Sequence, residues 1–399
     1  MHIVNVLVSM HEKYGGPPKA TVGLGNEMQQ LGNQVSYWTT ASEEDRSILH
    51  ARGTDTRIFN RSWPLSWYRS PELIKELRRE ISSIDMLHLQ EVWSHPQLAA
   101  SRIARHSDTP YVITPHGEFE PWRVRNSFVK HLKKKIYLSL AGRSMLRYAA
   151  CVHAIAPNEV KGIRETGYKG AITLIPNGVD IASYVNLPAP SIADRRWPQL
   201  ANRRVVLFLS RLSREKGLEQ LIPAWASLTA RNNYDDAILV IAGPDDRGYR
   251  AEVDCLVEKH GATSNVLLTG MVQGNEKLAL VSRANIYTLP SYSEGFSMSI
   301  LEALAASKPV LITPGCNFPE VAECGAGFCV EPESSLLMEA FERLLDMTDE
   351  DRAGMGERGR QLVEKEYAWD VLARKMLTVY HNILEGRDIP LHPQPIVAG

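Results

Sequence analysis

The stretch NIYTLPSYSEGFSMSILEALA, residues 285–305, joins a predicted buried strand to a predicted helix. The apolar run before Pro290 is typical of a strand that is buried in a parallel sheet. Gly295 permits a tight turn, and Ser297 is a suitable N-cap for a helix that ends near Pro309. The stretch therefore predicts one strand–turn–helix unit of an α/β fold.

Two carboxylates flank this turn, Glu294 in the loop and Glu302 within the helix. A helix N-terminus attracts phosphate, whereas carboxylates there are best explained by hydrogen bonds to hydroxyl groups. Sugar hydroxyls beside phosphate describe a nucleotide sugar. The alternative is that both glutamates are solvated charges on an ordinary amphipathic helix. The apolar neighbours of Glu302 argue against this, because they predict a buried helix in which a charged Glu302 needs a partner.

Length and composition restrict the class of protein. A chain of 399 residues suits two domains, and a net charge of −1 argues against a general nucleic-acid binder. The five scattered cysteines predict reduced thiols in a cytoplasmic protein, and the first eight residues predict a strand rather than a signal peptide. No apolar run approaches the roughly 20 residues that span a bilayer.

Strands alternate with helices along almost the whole chain, which predicts two Rossmann-like domains with parallel sheets that face each other across a cleft. The predicted strands are 3–8, 34–39, 84–90, 111–114, 151–156, 172–175, 205–209, 238–242, 266–268, 286–289 and 310–313. The predicted helices are 20–31, 71–79, 96–105, 126–148, 159–166, 217–231, 249–260, 276–284, 297–307 and 367–380. Residues 187–204 are predicted to form a linker, and residues 389–399 a poorly ordered tail.

Several loops that follow predicted strands carry residues suited to a phosphate or a sugar. Gly15 and Gly16 allow close approach of backbone N–H groups to an anion, although an ordinary turn explains them equally well. Arg211 can fork two hydrogen bonds to phosphate, and Lys216 can add a point charge. Arg214 is expected to be a solvated member of the same loop. His116, at the end of a buried strand, is expected to face the cleft.

Two further glycine-containing turns follow strands and leave room for a flat base. They contain Gly243 and the pair Met271 and Val272. Asp349–Asp351 resembles a DxD metal motif by letter alone and is predicted to begin a helix, so no metal site is predicted.

Residues 126–148 form a predicted basic amphipathic helix that is preceded by Arg123. One interpretation is a solvated charged face. The other is attraction to anionic lipid head groups or to the diphosphate of an acceptor. The residues expected to make that contact are Arg123, Lys130, Lys133, Lys134 and Lys135. An RNA site is disfavoured, since no aromatic platform accompanies the charges.

Taken together, these motifs resemble glycosyltransferase family 4, the retaining enzymes with the GT-B fold. The resemblance rests on the Glu-x7-Glu pair, Arg211 with Lys216, the segment Pro176–Asp180, Gly15 with Gly16, and His116. Residues 367–370 resemble the start of the terminal helix that crosses back to the first domain. The resemblance therefore implies an acceptor-side domain of 1–178 with the helix 370–388, and a donor domain of 179–369. Residues 114–122 resemble bacterial enzymes that build surface polysaccharides.

The resemblance also implies a role for each matched residue. His116, Arg211, Lys216 and Glu294 would be catalytic: Arg211 and Lys216 would stabilise the leaving diphosphate, and Glu294 would hold the donor sugar. Glu302 would hold the ribose. The remaining donor-binding residues would be Gly15, Gly16, Gly243, Met271, Val272, Gly295, Phe296, Ser297, Met298 and Ser299.

The implied reaction is transfer of a sugar from a UDP- or GDP-sugar, with retention and without a metal or other cofactor. The acceptor would be a glycan or a polyprenyl-diphosphate-linked saccharide, at the inner face of the membrane. Two alternatives stay open at this point: a nucleotide-sugar epimerase on a related double-Rossmann fold, and a binding protein without catalysis.

Overall fold

The computed structural model describes residues 1–11, 14–42, 55–119, 142–231 and 233–394. The chain divides into two compact units. The first comprises Met1–Gly178 and Trp369–Gly399, and the second comprises Val179–Ala368. All five cysteines are free thiols.

The first unit contains a seven-stranded sheet in the order β3-β2-β1-β4-β5-β6-β7, and every neighbouring pair of strands is parallel. Its strands are β1 (His2–Leu7), β2 (Gln34–Ala41), β3 (Asp55–Asn60), β4 (Met86–Gln90), β5 (Tyr111–Thr114), β6 (Cys151–Ala154) and β7 (Ile172–Leu174). Its described helices are α1 (Gly16–Gln30), α2 (Pro71–Glu80), α3 (His95–His106), α4 (Arg143–Arg147), α5 (Pro157–Glu165) and, from the end of the chain, α14 (Trp369–Leu384).

The second unit contains a six-stranded parallel sheet in the order β10-β9-β8-β11-β12-β13. Its strands are β8 (Arg204–Leu209), β9 (Ala237–Ala242), β10 (Val266–Gly270), β11 (Ile286–Leu289), β12 (Val310–Ile312) and β13 (Gly327–Cys329). Its helices are α6 (Pro190–Arg196), α7 (Leu218–Thr229), α8 (Tyr249–Lys259), α9 (Gly274–Arg283), α10 (Met298–Ala305), α11 (Glu320–Glu323), α12 (Ser334–Asp346) and α13 (Asp349–Glu366).

Both strand orders reverse direction once, between β1 and β4 in the first sheet and between β8 and β11 in the second. In open α/β sheets, ligands bind beyond the carboxyl ends of the strands at such a switch point. The loops after β1, β4, β8 and β11 are therefore where a site is expected.

The central strands agree with the sequence analysis, because each is mainly apolar and almost wholly buried. The edge strands β3 and β13 were missed. In β3 four of the six residues are polar, and none is fully buried, so the strand lacks the apolar run that marks the central ones.

The prediction of a linker over residues 187–204 was wrong. This segment contains α6, whose Asp194 pairs with Arg283 of α9 at 2.7 Å, while a guanidinium N–H of Arg283 also donates to the carbonyl of Arg203 at 2.8 Å. Proline marks the start of the helix here rather than an extended connection.

The tail was also predicted incorrectly as far as residue 394. The N–H of Leu174 in β7 donates to the carbonyl of Leu391 at 2.6 Å, and Thr378 donates to the carbonyl of Gln394 at 2.8 Å. Residues 126–141 of the predicted basic helix lie outside the described residues, and α4 lies within the remaining part.

The terminal helix α14 packs on α1 in the core of the first unit, as predicted. Gly23 of α1 makes this possible, because a Cβ there would collide with the indole of Trp369. Deeper in the core, a chain of hydrogen bonds joins α14 to the sheet. It runs from Tyr380 to His88 (2.6 Å), Thr114 (2.6 Å), His153 (2.8 Å) and the carbonyl of Ile175 (2.7 Å).

The direction of every bond in this chain follows from its last acceptor. A carbonyl can only accept, so Nε2 of His153 carries the proton and its Nδ1 accepts from Thr114. Thr114 therefore accepts from Nε2 of His88, and Nδ1 of His88 accepts from the hydroxyl of Tyr380. Burial lowers the pKa of both imidazoles, that of His153 to about 4, so the chain is neutral at physiological pH.

We expect Tyr380→Phe to destabilise the protein by about 1–3 kcal/mol, because it leaves Nδ1 of His88 buried without a donor. The measurement is denaturant unfolding. Tyr148→Phe is the matched control, since Tyr148 is half-exposed and its ring contact with Arg105 does not need the hydroxyl. An equal effect of both substitutions would show that the Tyr380–His88 bond does not stabilise the core.

Candidate functional site

The switch point of the second sheet brings together Lys216, from the loop after β8, and Glu294, from the loop after β11. Nζ of Lys216 lies 2.6 Å from Oε1 of Glu294, and their side chains are only 7% and 10% exposed. The hydroxyl of Ser291 donates to the same carboxylate oxygen at 2.5 Å. Oε2 of Glu294 accepts no hydrogen bond from a described residue, so this oxygen is available to a ligand.

The backbone holds these two loops against each other. Gly217 has φ of 70°, and a Cβ there would collide with the carbonyl of Pro290, so only glycine lets the loops approach. The N–H of Tyr292 donates to the carbonyl of Glu215 at 2.9 Å. The N–H of Glu294 donates to the carbonyl of Gly315 at 2.8 Å, which fixes the position of the carboxylate from the other side.

Arg211 does not join this pair. Its guanidinium is half-exposed and lies 3.2 Å from Asp246 and 3.9 Å from Glu215. Exposed ion pairs of this kind contribute little free energy, so the guanidinium can exchange its partners for a phosphate. Arg214 is 73% exposed and pairs with Glu252, in agreement with the predicted solvated position.

Glu302 has the partner that the sequence analysis required. Nζ of Lys277, on α9, donates to Oε1 of Glu302 at 2.7 Å, and both side chains are largely buried. Burial, with a smaller effect of the negative charge on Glu302, raises the pKa of the Tyr184 phenol. The carboxylate of Glu302 is therefore held in place by a cation.

Helix α10 begins at Met298 with Ser297 in the N-cap position, as predicted, but the hydroxyl of Ser297 caps no backbone N–H. It lies 3.1 Å from the hydroxyl of Ser299, which also accepts a hydrogen bond from Tyr287 at 2.7 Å. Phe296 packs in an aromatic cluster with Phe318 and Tyr367. The side chain of Ser297 is thus directed into the protein. It does not accept a hydrogen bond from the N–H groups in the first turn of α10.

The remaining residues predicted in this unit have mixed environments. Gly243 is required by its φ of 147° and by contact with the carbonyl of Ser210, which explains the glycine without a ligand. Val272 is buried, whereas Met271 is 58% exposed. Gly295 is partly exposed and precedes Phe296 in the turn.

In the first unit, α1 begins at Gly16 with Gly15 in the N-cap position, after the loop that follows β1. Gly15 has φ of 75°, and a Cβ at either glycine would meet no described atom within 4 Å. No described residue therefore fills the space beside this helix N-terminus. This space lies at the switch point of the first sheet.

His116 follows β5 and has a positive φ of 54°. Its Nε2 lies 2.7 Å from Oε1 of Gln90, at the end of β4, and Nε2 of Gln90 donates to Oδ1 of Asn5 at 3.0 Å. This orientation of the Gln90 amide places the proton of His116 on Nε2 and leaves Nδ1 as an acceptor. Burial, with a smaller effect of His153, lowers the pKa of His116 to about 3, so the imidazole is neutral.

Four polar residues were missed from sequence: Asn5, Gln90 and Glu91 at the reversal of the first sheet, and Lys277, which pairs with Glu302. Glu91 follows Gln90 with φ of 71°, and burial raises the pKa of its carboxyl to about 7. Asn5 and Gln90 lie within strands and Lys277 within a helix, where only the tertiary fold gives them a partner. Glu91 could have been found as a carboxylate directly beyond a strand.

Arg123, Lys130, Lys133, Lys134 and Lys135 lie outside the described residues. Within the described ranges, no group of three His, Cys, Asp or Glu side chains could hold a metal ion. No described helix is long and apolar enough to cross a membrane. Asp349–Asp351 begin α13 after the N-cap Thr348, as predicted.

Two family models match the two halves of the chain. Residues 14–183 match the model described as Glycosyltransferase Family 4, and residues 192–362 match Glycosyl transferases group 1. The chain belongs to glycosyltransferase family 4.

A family 4 chain is expected to have the GT-B fold, and solved structures agree. Sucrose-phosphate synthase from Thermosynechococcus elongatus is 20% identical and superimposes with a TM-score of 0.74 over 97% of this chain and 100% of its own. HepE from Anabaena, in complex with UDP and glucose, is 18% identical with a TM-score of 0.75 over 96% of this chain and 100% of its own. The predicted fold class is confirmed.

Curated relatives are transferases as well. The GDP-mannose-dependent alpha-(1-6)-phosphatidylinositol monomannoside mannosyltransferase of Mycobacterium tuberculosis is 31% identical over 56% of this chain and 58% of its own length. The chain thus spans little more than half of that relative. The alpha-monoglucosyldiacylglycerol synthase of Acholeplasma laidlawii is 21% identical over 94% of this chain and 96% of its own.

We expect Glu294→Gln or Lys216→Met alone to lower the free energy of unfolding by about 3–5 kcal/mol, because each leaves one buried charge without its partner. The double substitution should recover part of this loss. Denaturant unfolding of the four proteins gives the coupling energy. The control cycle is Arg231→Met with Glu342→Gln, a more exposed pair at 2.6 Å that should change stability by about 0.2–1 kcal/mol. Additive losses at Lys216 and Glu294 would contradict a coupled buried pair.

Proposed function

We propose that this chain is a retaining glycosyltransferase that moves a sugar from a UDP- or GDP-sugar to a glycan or lipid-linked saccharide acceptor. The observation that carries the proposal is the buried Lys216–Glu294 pair at the switch point of the second sheet. An unoccupied carboxylate oxygen beside a cation suits a ligand that combines hydroxyls with phosphate.

Negative charge develops on the diphosphate as the bond to the sugar breaks, so fixed positive groups there lower the barrier. Lys216 has three N–H donors and directs one of them to Glu294, which leaves others for phosphate oxygens. Arg211 can leave its exposed partners, Asp246 and Glu215, and bind the same diphosphate. The N-terminus of α10 adds the positive end of its dipole.

Glu294 and Glu302 are proposed to bind hydroxyls rather than to act as an acid and base pair. Oε1 of each is already occupied by a lysine, at 2.6 Å and 2.7 Å. Glu294 would bind the hydroxyls of the transferred sugar, and Glu302 those of the ribose.

The finer assignments are also proposals. The relatives' names support both donor bases, because one is GDP-mannose-dependent and HepE binds UDP. Two relatives act on phosphatidylinositol or diacylglycerol lipids, which supports a lipid-linked acceptor and action at a membrane surface. A place in bacterial polysaccharide synthesis, a cytoplasmic location and independence from metal ions complete the proposal. The family models and the relatives quoted give the epimerase alternative no support.

The proposal predicts release of UDP or GDP from one donor of a nucleotide-sugar panel, dependent on a lipid-linked acceptor. Nuclear magnetic resonance of the product should show the anomeric configuration of the donor. EDTA should leave the rate unchanged. Inversion would contradict the retaining mechanism, and loss of activity with EDTA would contradict independence from metal ions. Epimerised donor without nucleotide release would contradict glycosyl transfer itself.

Lys216→Ala and Glu294→Gln should each lower kcat by about 100-fold or more, the usual effect of removing one group that stabilises the transition state. Lys365→Ala is the control, because its side chain is 82% exposed and lies on α13. Rates are to be compared at a temperature where all variants are folded by circular dichroism. A turnover close to that of the unmodified protein in either variant would remove that residue from the site.

Gln90→Glu should introduce a new dependence of kcat on pH. A carboxylate 2.7 Å from Nε2 would raise the pKa of His116 from about 3 towards neutrality, so Nδ1 would become protonated as the pH falls. The unmodified protein should show no titration of His116 between pH 5 and pH 8, since its folded pKa lies below that range.

Gln90→Leu is the companion variant, because it removes the hydrogen bond without adding a charge. It should lower kcat at every pH and leave the shape of the profile unchanged. Identical profiles for the glutamate variant and the unmodified protein would show that Gln90 does not position His116.

A further inference from the structure

A groove runs along the outer face of α2 and α3, away from the residues considered so far. It consists of a cavity of about 570 Å³ and an adjoining one of about 370 Å³, and Ile74, Arg78 and His95 line both. The floor of the larger cavity is apolar, with Ile81 and Ile103 at its base. The groove is therefore an open apolar trough on the surface of the first unit.

The rim of this groove is basic. Its four permanent cations are Arg69, Lys75, Arg78 and Arg102, and no Asp or Glu is among the described residues that line either cavity. Within the described ranges, none of the four forms an ion pair. Unpaired cations beside apolar surface attract anionic amphiphiles.

The acidic residues of α2 are held on another face of the helix. Glu76 and Glu80 pair with Arg57 of β3 at 3.2 Å and 2.8 Å, and Glu72 accepts a hydrogen bond from the N–H of Asn60 at 3.3 Å. This separation of charge leaves the groove face of α2 positive. An ordinary solvated helix would not need its acidic and basic side chains to lie on different faces.

An exposed apolar loop extends the same surface at the start of α2. Trp63, Leu65 and Trp67 are 83%, 55% and 40% exposed. The ring of Trp67 lies edge-on to His95 of the groove, with centroids 5.4 Å apart, and Arg69 donates to the carbonyl of Trp63 at 3.5 Å. Large apolar side chains exposed together mark an interaction surface.

We propose that this groove and loop form a docking surface for an anionic phospholipid bilayer. The cations of the rim bind the phosphates of the head groups, and Trp63, Leu65 and Trp67 enter the interface between head groups and acyl chains. A soluble anion would use the cations alone and would leave the three apolar side chains in water. The surface is separate from residues 123–135, and the inference does not depend on the proposed transferase activity.

The test is co-sedimentation of the full chain with phosphatidylcholine vesicles and with vesicles in which part of that lipid is replaced by phosphatidylglycerol. Binding should require the anionic lipid and weaken as salt is added, since exposed charges are screened. Lys75→Ala with Arg78→Ala should lower the partition coefficient by about 25-fold, at roughly fivefold for each cation near the surface. Trp63→Ser with Leu65→Ser should lower the partition coefficient by a similar factor. The size of this decrease should depend little on salt, because the side chains removed are uncharged.

The charge-matched control is Lys161→Ala with Lys365→Ala, both on helices outside the groove, and it should bind as the unmodified protein does. Circular dichroism shows whether each variant is folded, and Trp63 is exposed enough that its replacement should not disturb packing. Absence of binding to anionic vesicles overturns the proposal. So does equal binding of both groove variants and the control. Full competition by inorganic phosphate at the same ionic strength would identify a soluble-anion site instead.

Discussion

The buried ion pair between Lys216 and Glu294 is the interaction on which the site depends. Removing two charges from water costs several kcal/mol, and the attraction between them offsets that cost only when hydrogen bonds satisfy their remaining atoms. Here Ser291 satisfies one oxygen of Glu294, and the other has no described partner. The burial of this pair is therefore better explained by binding of a ligand than by a contribution to the stability of the fold. Gly217 and the backbone bond from Tyr292 to Glu215 keep the two loops together, and the bond from Glu294 to Gly315 fixes the second loop from its other side.

Topology explains why this pair lies where it does. Strands β8 and β11 are neighbours at the reversal of the second sheet, so the loops that follow them begin side by side although 80 residues separate Val205 from its partner Asn285. The first sheet repeats the arrangement with Asn5, Gln90 and His116 near its own reversal. In both units the fold brings polar groups to the edge of the sheet that contains the carboxyl ends of its parallel strands.

The sequence was sufficient for the residues that local pattern marks. Glu294 and Glu302 flank a helix start, Lys216 follows a strand, and the long apolar runs predict the central strands. It was not sufficient where a partner comes from a distant element. In the sequence Lys277 is an ordinary helical lysine, and only the fold places its Nζ 2.7 Å from Glu302. Likewise, only the fold shows that Arg211 pairs with Asp246 and does not join Lys216 and Glu294. For the same reason the sequence predicts a linker over residues 187–204 instead of α6, because α6 is held by contacts with the distant α9.

The proposed donor site consists of the loops after β8 and β11, and hydrogen exchange of the full chain with and without donor can check this assignment. With a UDP- or GDP-sugar present, exchange should become slower in residues 210–218 and 290–302. No change of similar size is expected in α12, which contributes no residue to the proposed donor site. Unchanged exchange in both loops, with protection elsewhere in the second unit, would contradict this assignment.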